Sequence, residues 1–134
     1  IFLRCALSLS FLSAVADRFG WWTEKYSTWG NWQNFLNYTQ TINPWFPTNW
    51  IPAIGFTATI TEIVLGIALL LGFKTKLAAE LSGWLLLIFA LSMTFSVGIK
   101  GALDYSVYSA SAGAFALSFM KDKYLELDNL ILKR

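Results

Sequence analysis

Four long apolar segments, separated by shorter polar stretches, dominate the sequence. Each segment is close to the roughly 20 residues that a helix needs to cross the hydrocarbon core of a bilayer. The pattern predicts an all-α fold, an integral membrane four-helix bundle that forms a single domain over residues 1–134. The predicted spans lie at about 2–19, 51–73, 77–99 and 102–120.

The composition favours lipid as part of the surroundings of this chain. Hydrophobic residues make up 56% of it and charged residues only 13%, and its mean hydropathy is +0.52. A soluble domain usually has about 25% charged residues. The formal net charge is only +2 and the cations are scattered, so we expect membrane lipid as a partner and no nucleic acid.

The positions of the cations predict an orientation for the four spans. Seven of the ten Lys and Arg residues fall on the side that would carry both termini and the loop between the second and third spans. Cytoplasmic loops are rich in Lys and Arg. We therefore expect both termini to lie in the cytoplasm of a multi-pass protein in a bacterial inner membrane.

The connection between the first two spans, residues 20–50, is called the aromatic loop below. It contains six of the seven tryptophans, and Trp prefers the membrane–water interface. One interpretation is a lid that lies on the bilayer surface, in which a short helix ends before the three prolines. The other is a docking surface for a lipid or partner, formed by Trp29, Trp32, Phe35, Leu36, Trp45 and Trp50.

The last 14 residues, 121–134, begin with a polar stretch. Apolar residues then recur at helical spacing, which predicts a short amphipathic helix on the cytoplasmic side.

A single carboxylate, Glu62, lies near the middle of the second predicted span, about 16 Å from either end at 1.5 Å per residue. A charged side chain at that depth costs roughly 2.5–3.5 kcal/mol on insertion scales. We therefore expect Glu62 to face the interior of the bundle, to be paired, or to be protonated. Gly55, Thr59 and Gly66 share its helix face, and small residues there allow neighbouring helices to approach closely.

Other polar residues accompany Glu62 in the first and last spans. On the first, the spacing of Ala6, Ser10, Ser13 and Asp17 predicts the face that meets Glu62, and Arg18 is expected to bridge Asp17 or Asp104 or to reach Glu62. This intramembrane polar cluster is either a clamp that fixes the register of the helices or the lining of a binding or proton-relay cavity. Its candidate members are Asp17, Arg18, Thr59, Glu62, Asp104, Tyr105, Tyr108 and Ser109.

Metal and redox chemistry have little support in this sequence. It contains no His and a single Cys, Cys5, so it offers neither imidazole ligands nor a thiol pair. We predict no catalytic residue, no metal site and no bound cofactor, apart from a quinone as a candidate ligand. We expect the first segment to be a span and not a cleaved signal peptide.

Three stretches resemble the DoxX family: FLSAVADRFG at the end of the first span, TEIVLGIALLLGFKTK across the second, and the Ser- and Ala-rich DYSVYSASAGAFAL in the last. The most specific part of this resemblance runs from Glu62 through Gly66 and Gly72 to the basic turn at Lys74 and Lys76. The chain differs from many members at Asp17-Arg18, where they carry a lone Lys or Arg after a Gly.

The resemblance implies a four-helix bundle in a bacterial inner membrane. Some relatives resemble subunits of membrane oxidoreductases, including a thiosulfate:quinone oxidoreductase, and others resemble partners in an oxidative-stress complex.

Three functions stay open at this point. The first is a non-catalytic or accessory subunit that joins other membrane subunits or copies of itself, and that is not an enzyme on its own. The second is a quinone-linked oxidoreductase subunit whose redox centre lies in a partner. The third is a pathway for a small solute or proton.

Overall fold

The computed structural model describes residues 1–120, which contain helices and no strand. The amphipathic helix expected over residues 121–134 lies outside the described residues. A 3₁₀ turn at Thr48–Trp50 leads into the third α-helix. The α-helices are α1 (Phe2–Arg18), α2 (Trp32–Ile42), α3 (Ile51–Leu71), α4 (Thr75–Ser96), α5 (Ile99–Asp104) and α6 (Val107–Ser118).

Helices α1, α3 and α4 begin and end within three residues of three of the segments predicted from the apolar pattern. The fourth predicted segment, 102–120, is divided between α5 and α6. The break falls at Tyr105 and Ser106, and Ser106 has a left-handed backbone with φ of 58°. A left-handed residue cannot continue a right-handed helix, so the chain turns there.

Short sequence signals set the ends of α3. Pro52 lies in its first turn, where the absence of an N–H leaves no hydrogen bond unmade. Gly72 ends the helix with φ of 72°, a conformation that glycine adopts without a steric penalty. Lys74 then takes a second left-handed conformation, and α4 starts at the next residue.

Helices α1, α3, α4 and α6 enclose the main apolar core. Helix α1 packs against α3 and α6, and α4 packs against α3 and α6. Two glycines lie at close approaches: Gly66 faces Leu12, and Gly83 faces the ring of Phe115. The buried residues of this core are Leu7, Phe11, Leu65, Leu69, Ala78, Ala79, Ala114 and Leu117.

Side-chain hydrogen bonds to carbonyl groups join the same helices. The hydroxyl of Ser8 donates to the carbonyl oxygen of Gly66 at 2.6 Å, and that of Ser111 donates to the carbonyl of Gly83 at 2.7 Å. The buried Arg4 donates to the carbonyl of Leu69 at 3.1 Å. Small residues and hydroxyl groups therefore draw the helix backbones together.

The outward faces of α3 and α4 are strongly apolar. Two helical stretches, Thr48–Leu71 and Thr75–Ser96, are long and apolar enough to cross a membrane by length and composition. The exposed apolar side chains on these faces include Phe56, Ile60, Val64, Ile67, Trp84, Ile88, Leu91 and Phe95. Exposed apolar surface of this extent indicates a surrounding of lipid or of partner helices.

Candidate binding site beneath the aromatic loop

An ion pair lies inside the protein between α1 and α3. Arg18 at the end of α1 is paired with the carboxylate of Glu62 in α3, and their side chains are only 3% and 4% exposed. Arg18 also donates a hydrogen bond of 2.8 Å to the hydroxyl of Thr59, which in turn donates to the carbonyl of Gly55 at 2.8 Å. Arg18, Thr59 and Glu62 are called the ion-pair site below.

The buried stripe on α3 is confirmed: Gly55, Thr59, Glu62 and Gly66 are all buried. Glu62 faces the interior and is paired. These are two of the three alternatives expected for it; the third was protonation. Of the three contacts expected for Arg18, the one with Glu62 is present, whereas the bridges to Asp17 and Asp104 are not, because the guanidinium turns towards α3.

Aromatic rings of the loop cover the cation. The guanidinium carbon of Arg18 lies 3.9 Å from the ring centre of Phe35 and 5.2 Å from that of Trp29. The electron-rich faces of aromatic rings attract a desolvated cation. Arg18 therefore joins three elements: α1, which carries it, α3 through Glu62 and Thr59, and the aromatic loop through these rings.

Asp17, the residue next to Arg18, binds the first part of the aromatic loop. Its carboxylate accepts a hydrogen bond of 2.5 Å from the hydroxyl of Ser27. It also accepts hydrogen bonds from the backbone N–H groups of Thr28, Trp29 and Gly30 at 2.9, 2.9 and 3.3 Å. Two consecutive residues of opposite charge thus hold the same loop, one through backbone donors and the other through aromatic rings.

A cavity of about 310 Å³ lies between the aromatic loop and the helices. Arg18 and Glu62 form part of its wall, and Trp29, Phe35 and Tyr38 contribute loop and α2 side chains. Six of the other lining residues are apolar side chains of α3, α4 and the start of α6. These apolar residues are Ile54, Ala58, Leu86, Phe89, Met93 and Val107.

Two tyrosines line this cavity. Tyr38 is half-buried on α2, and Tyr105 lines the cavity although it is 73% exposed. Burial, and secondarily the neighbouring Tyr105, raise the pKa of Tyr38 above its usual value. Its hydroxyl therefore stays protonated at neutral pH and keeps both a donor and acceptor function.

Three other members of the predicted polar cluster lie away from the ion-pair site. Asp104 is exposed and pairs with Lys100 at 2.5 Å, one turn earlier in α5. Ser109 is exposed on α6, so it does not join the buried cluster. Tyr108 is half-buried, and its hydroxyl shares a hydrogen bond of 2.8 Å with Thr94 of α4.

The six aromatic-loop residues predicted as docking or interfacial residues fall into two groups. Phe35 and Leu36 are buried together with Ile51, and Trp29 and Trp32 pack against them. Trp45 and Trp50 are more than half exposed. The geometry leaves only this second pair with large free surfaces, because the first four cover the helices below.

The buried face of α1 differs from the predicted one. Ala6 and Ser10 are exposed, and the residues that point inward are Arg4, Leu7, Ser8, Phe11, Val15, Asp17 and Arg18. The prediction rests on the small and polar residues of this helix. The apolar spacing of Leu7, Phe11 and Val15 was the signal that would have identified the correct face.

Among residues 1–120, no group of three or more His, Cys, Asp and Glu side chains is placed to hold a metal ion. The cavity and the ion-pair site adjoin each other in the described part of the chain, since Arg18 and Glu62 belong to both. Their chemistry is that of an apolar pocket with a few convergent polar groups, which is typical of small-molecule binding sites.

The family model for DoxX matches residues 1–99, well over half of the 134 residues of the chain. The chain belongs to the DoxX family. The matched range includes the ion-pair site, Asp17 and the entire aromatic loop, whereas Tyr105 and α6 lie beyond it. No curated protein and no solved structure matched the chain.

Family membership and the two apolar helical stretches together indicate that this DoxX-family chain is a membrane protein. In that setting the Arg18–Glu62 pair stands out, because an ionisable residue in a membrane-spanning helix is costly unless it is paired or faces the interior of the protein. Here it does both.

Proposed function

We propose that this DoxX-family protein is a non-catalytic, accessory subunit of a larger assembly in a bacterial inner membrane. In this proposal α1, α3, α4 and the α5–α6 unit form a four-helix membrane bundle, and the aromatic loop covers its outer end. Both termini lie in the cytoplasm, as the distribution of Lys and Arg favours.

One observation carries the proposal: the charged groups inside the helices are used to hold the protein together. Arg18 is engaged with Glu62, Thr59 and the aromatic rings, and Asp17 accepts four hydrogen bonds from the loop. These contacts join α1, α3 and the aromatic loop. The arrangement supports the interpretation of the polar cluster as a clamp that fixes the register of the helices, over its interpretation as a binding or proton-relay cavity.

The exposed surfaces support an assembly. Trp45 and Trp50 project from the aromatic loop, and α3 and α4 present continuous apolar faces. Tryptophan is enriched at the centres of protein–protein interfaces. We propose Trp45 and Trp50 as the docking residues for another membrane subunit, with lipid around the remaining apolar faces.

The test is native mass spectrometry of the tagged protein, extracted from its own membrane in mild detergent. We expect a complex that contains at least one different protein chain. A monomer or a homo-oligomer as the only species would overturn the accessory role.

Substitution of the exposed tryptophans locates the interface in the same experiment. Trp45→Ala together with Trp50→Ala should release the partner while the melting temperature stays close to that of the wild type, because both side chains are largely exposed. Trp84→Ala is the matched control, since Trp84 is also exposed but lies on α4 against Phe115. Equal retention of the partner by both variants would place the interface elsewhere.

The cavity favours a second candidate function, that of a quinone-linked oxidoreductase subunit. A quinone head group needs an apolar slot with a few hydrogen-bonding groups, and the cavity offers Arg18, Tyr38 and Tyr105. Electrons would come from a redox centre in a partner. Solvent extraction of the purified complex and chromatographic assay for quinone tests this candidate, which predicts about one quinone per chain, and a quinone-free preparation contradicts it.

A further inference from the structure

Asp17 is a buried carboxylate that takes part in no ion pair within residues 1–120. Its side chain accepts hydrogen bonds from one hydroxyl and three backbone N–H groups, all of them neutral, and a carboxyl group that only accepts is ionised. The adjacent guanidinium of Arg18 is paired with Glu62 instead. Asp17 is only 6% exposed, and a buried charge is costly unless an opposite charge lies close to it.

A second pocket, called the α1 pocket below, lies between the first part of the aromatic loop and an exposed face of α1. Its volume is about 580 Å³, which is within the range of small-molecule sites. Asp17 is the only charged side chain among the described residues that line it. A pocket with one negative charge and no cation in its wall attracts a positively charged group and repels an anion.

The aromatic loop contributes three rings to the wall of the α1 pocket, those of Trp22, Tyr26 and Trp29. Trp29 already lies beside Arg18, whereas Trp22 and Tyr26 are 45% and 68% exposed and have ring surface to offer a ligand. The indole N–H of Trp22 donates to the carbonyl of Ser13 at 3.1 Å, which holds this ring against α1. Several aromatic rings around one position form a cage that binds ammonium groups.

The surroundings of the α1 pocket indicate which ammonium compound it fits. Lys25 is outside the lining, but its Nζ lies 5.5 Å from the ring centre of Tyr26, so a cation is available next to the pocket for a phosphate group. Two turns of α1 present the exposed side chains of Phe2 and Leu9 on one face, and Leu9 also lines the pocket. A zwitterionic phospholipid has the three matching parts: an ammonium group, a phosphate and acyl chains.

We propose that the α1 pocket binds the head group of a zwitterionic phospholipid. The ammonium group lies against Trp22 and Tyr26 near the charge of Asp17, the phosphate lies near Lys25, and the acyl chains follow the exposed face of α1. Trp22 and Tyr26 are then lipid-binding residues. This inference goes beyond the accessory role and does not depend on it, and the α1 pocket is separate from the cavity that the ion-pair site adjoins.

Three lipids with identical acyl chains separate the contributions of the ammonium group, the phosphate and the chains. Dioleoyl phosphatidylethanolamine has all three, dioleoyl phosphatidylglycerol lacks the ammonium group, and dioleoylglycerol has only the chains. Native mass spectrometry of the protein in mild detergent, titrated with each lipid in turn, gives the affinities.

Two neighbouring tryptophans provide the deciding comparison. Trp22→Leu removes a ring of the α1 pocket, whereas Trp21→Leu makes the same change at an exposed residue that does not line it. The first should weaken phosphatidylethanolamine about three- to fivefold and leave the other two lipids unchanged, and the second should leave all three unchanged. Equal affinity of the two variants for phosphatidylethanolamine, or an equal loss of all three lipids in Trp22→Leu, would overturn the proposal.

Tyr26 provides a second pair of variants. Tyr26→Phe keeps the ring and should bind phosphatidylethanolamine as the wild type does, whereas Tyr26→Leu should weaken it about threefold. Tyr26 is largely exposed, so the melting temperatures of both variants should stay close to that of the wild type. Equal binding by these two variants would contradict the aromatic wall.

A soluble competitor distinguishes a lipid from a free head group. Glycerophosphoethanolamine carries the same ammonium and phosphate groups without acyl chains, so at equal concentration it should not displace phosphatidylethanolamine. Displacement would show that the chains contribute nothing, and it would overturn the assignment to a lipid.

Discussion

Arg18 is the residue on which most of the described contacts converge. It is buried, paired with Glu62, hydrogen-bonded to Thr59 and covered by the ring of Phe35. A guanidinium cannot lose its proton in a protein, so the charge of Arg18 must be balanced wherever the residue lies. Glu62 supplies that balance, and this explains why an isolated carboxylate is tolerated in an apolar helix.

The ion pair predicts non-additive effects on stability. Removal of one partner leaves a buried charge, so Glu62→Leu and Arg18→Met should each lower the free energy of unfolding by about 3–5 kcal/mol. The double substitution leaves no charge and should recover most of that loss. Thermal melts in one detergent compare the stability of the wild type, the two single variants and the double variant.

The two single variants should also differ in stability. Glu62→Leu should be the less stable, because the remaining guanidinium stays charged whereas an isolated carboxylate can take up a proton. Additive losses in the double variant would show that Arg18 and Glu62 do not depend on each other.

Asp17 should control the order of the first part of the aromatic loop. Asp17→Asn replaces one acceptor oxygen by an N–H₂ group, so some of the donors of Ser27, Thr28, Trp29 and Gly30 lose their acceptor. We expect faster amide hydrogen exchange at residues 28–30, by about tenfold or more if the hydrogen bonds open.

Asp104→Asn is the control for this change, since Asp104 is exposed and contacts Lys100 within its own short helix. Exposed ion pairs contribute about 0–1 kcal/mol, so exchange in the loop should stay as in the wild type. Equal exchange in the Asp17 and Asp104 variants would contradict the role given to Asp17.

Helices α4 and α6 meet at Gly83, where the fold depends on the absence of a side chain. A Cβ at this position would lie 2.8 Å from the ring of Phe115, and Gly83 also accepts the hydrogen bond from Ser111. Close approach at small residues is a common feature of helix pairs in membranes.

Gly83→Ala should therefore separate α4 from α6 and reduce the free energy of unfolding by about 1–3 kcal/mol. Gly101→Ala is the matched control, because a Cβ there would make only an ordinary contact of 3.7 Å with Met93. Chemical denaturation in mixed micelles gives both values. A Gly83 variant as stable as the Gly101 variant would show that the α4–α6 contact adapts freely.

The sequence predicted most of the helices but only part of the candidate site. Apolar length identified α1, α3 and α4, and the isolated charge of Glu62 with its small neighbours identified the buried stripe of α3. The break at Ser106 was missed, because a single left-handed residue leaves no mark in an apolar pattern. The covering of Arg18 by Phe35 was also missed, since it depends on how a loop folds back over distant helices.

The orientation of the whole molecule is a prediction from its charges alone. In a Cys5→Ala background, Tyr26→Cys in the exposed aromatic loop should react with a membrane-impermeant maleimide in intact cells. Lys76→Cys, exposed at the start of α4, should react only after the cells are opened. Labelling in the reverse order would invert the topology.

For the molecule as a whole, we expect Glu62 to lie inside a lipid-embedded bundle, with the outer face of the same helix turned to lipid. Val64 is exposed on α3 close to Glu62 in sequence, and Lys76 is exposed beyond the end of that helix. The most direct test is electron paramagnetic resonance on single spin labels at Val64→Cys and Lys76→Cys, each in the Cys5→Ala background in liposomes, with oxygen and a water-soluble nickel chelate as relaxing agents. We expect oxygen to relax the label at position 64 strongly and the chelate to relax it hardly at all, with the opposite preference at position 76. A label at position 64 that the nickel chelate relaxes as well as the one at position 76 would place this face of α3 in water and not in lipid.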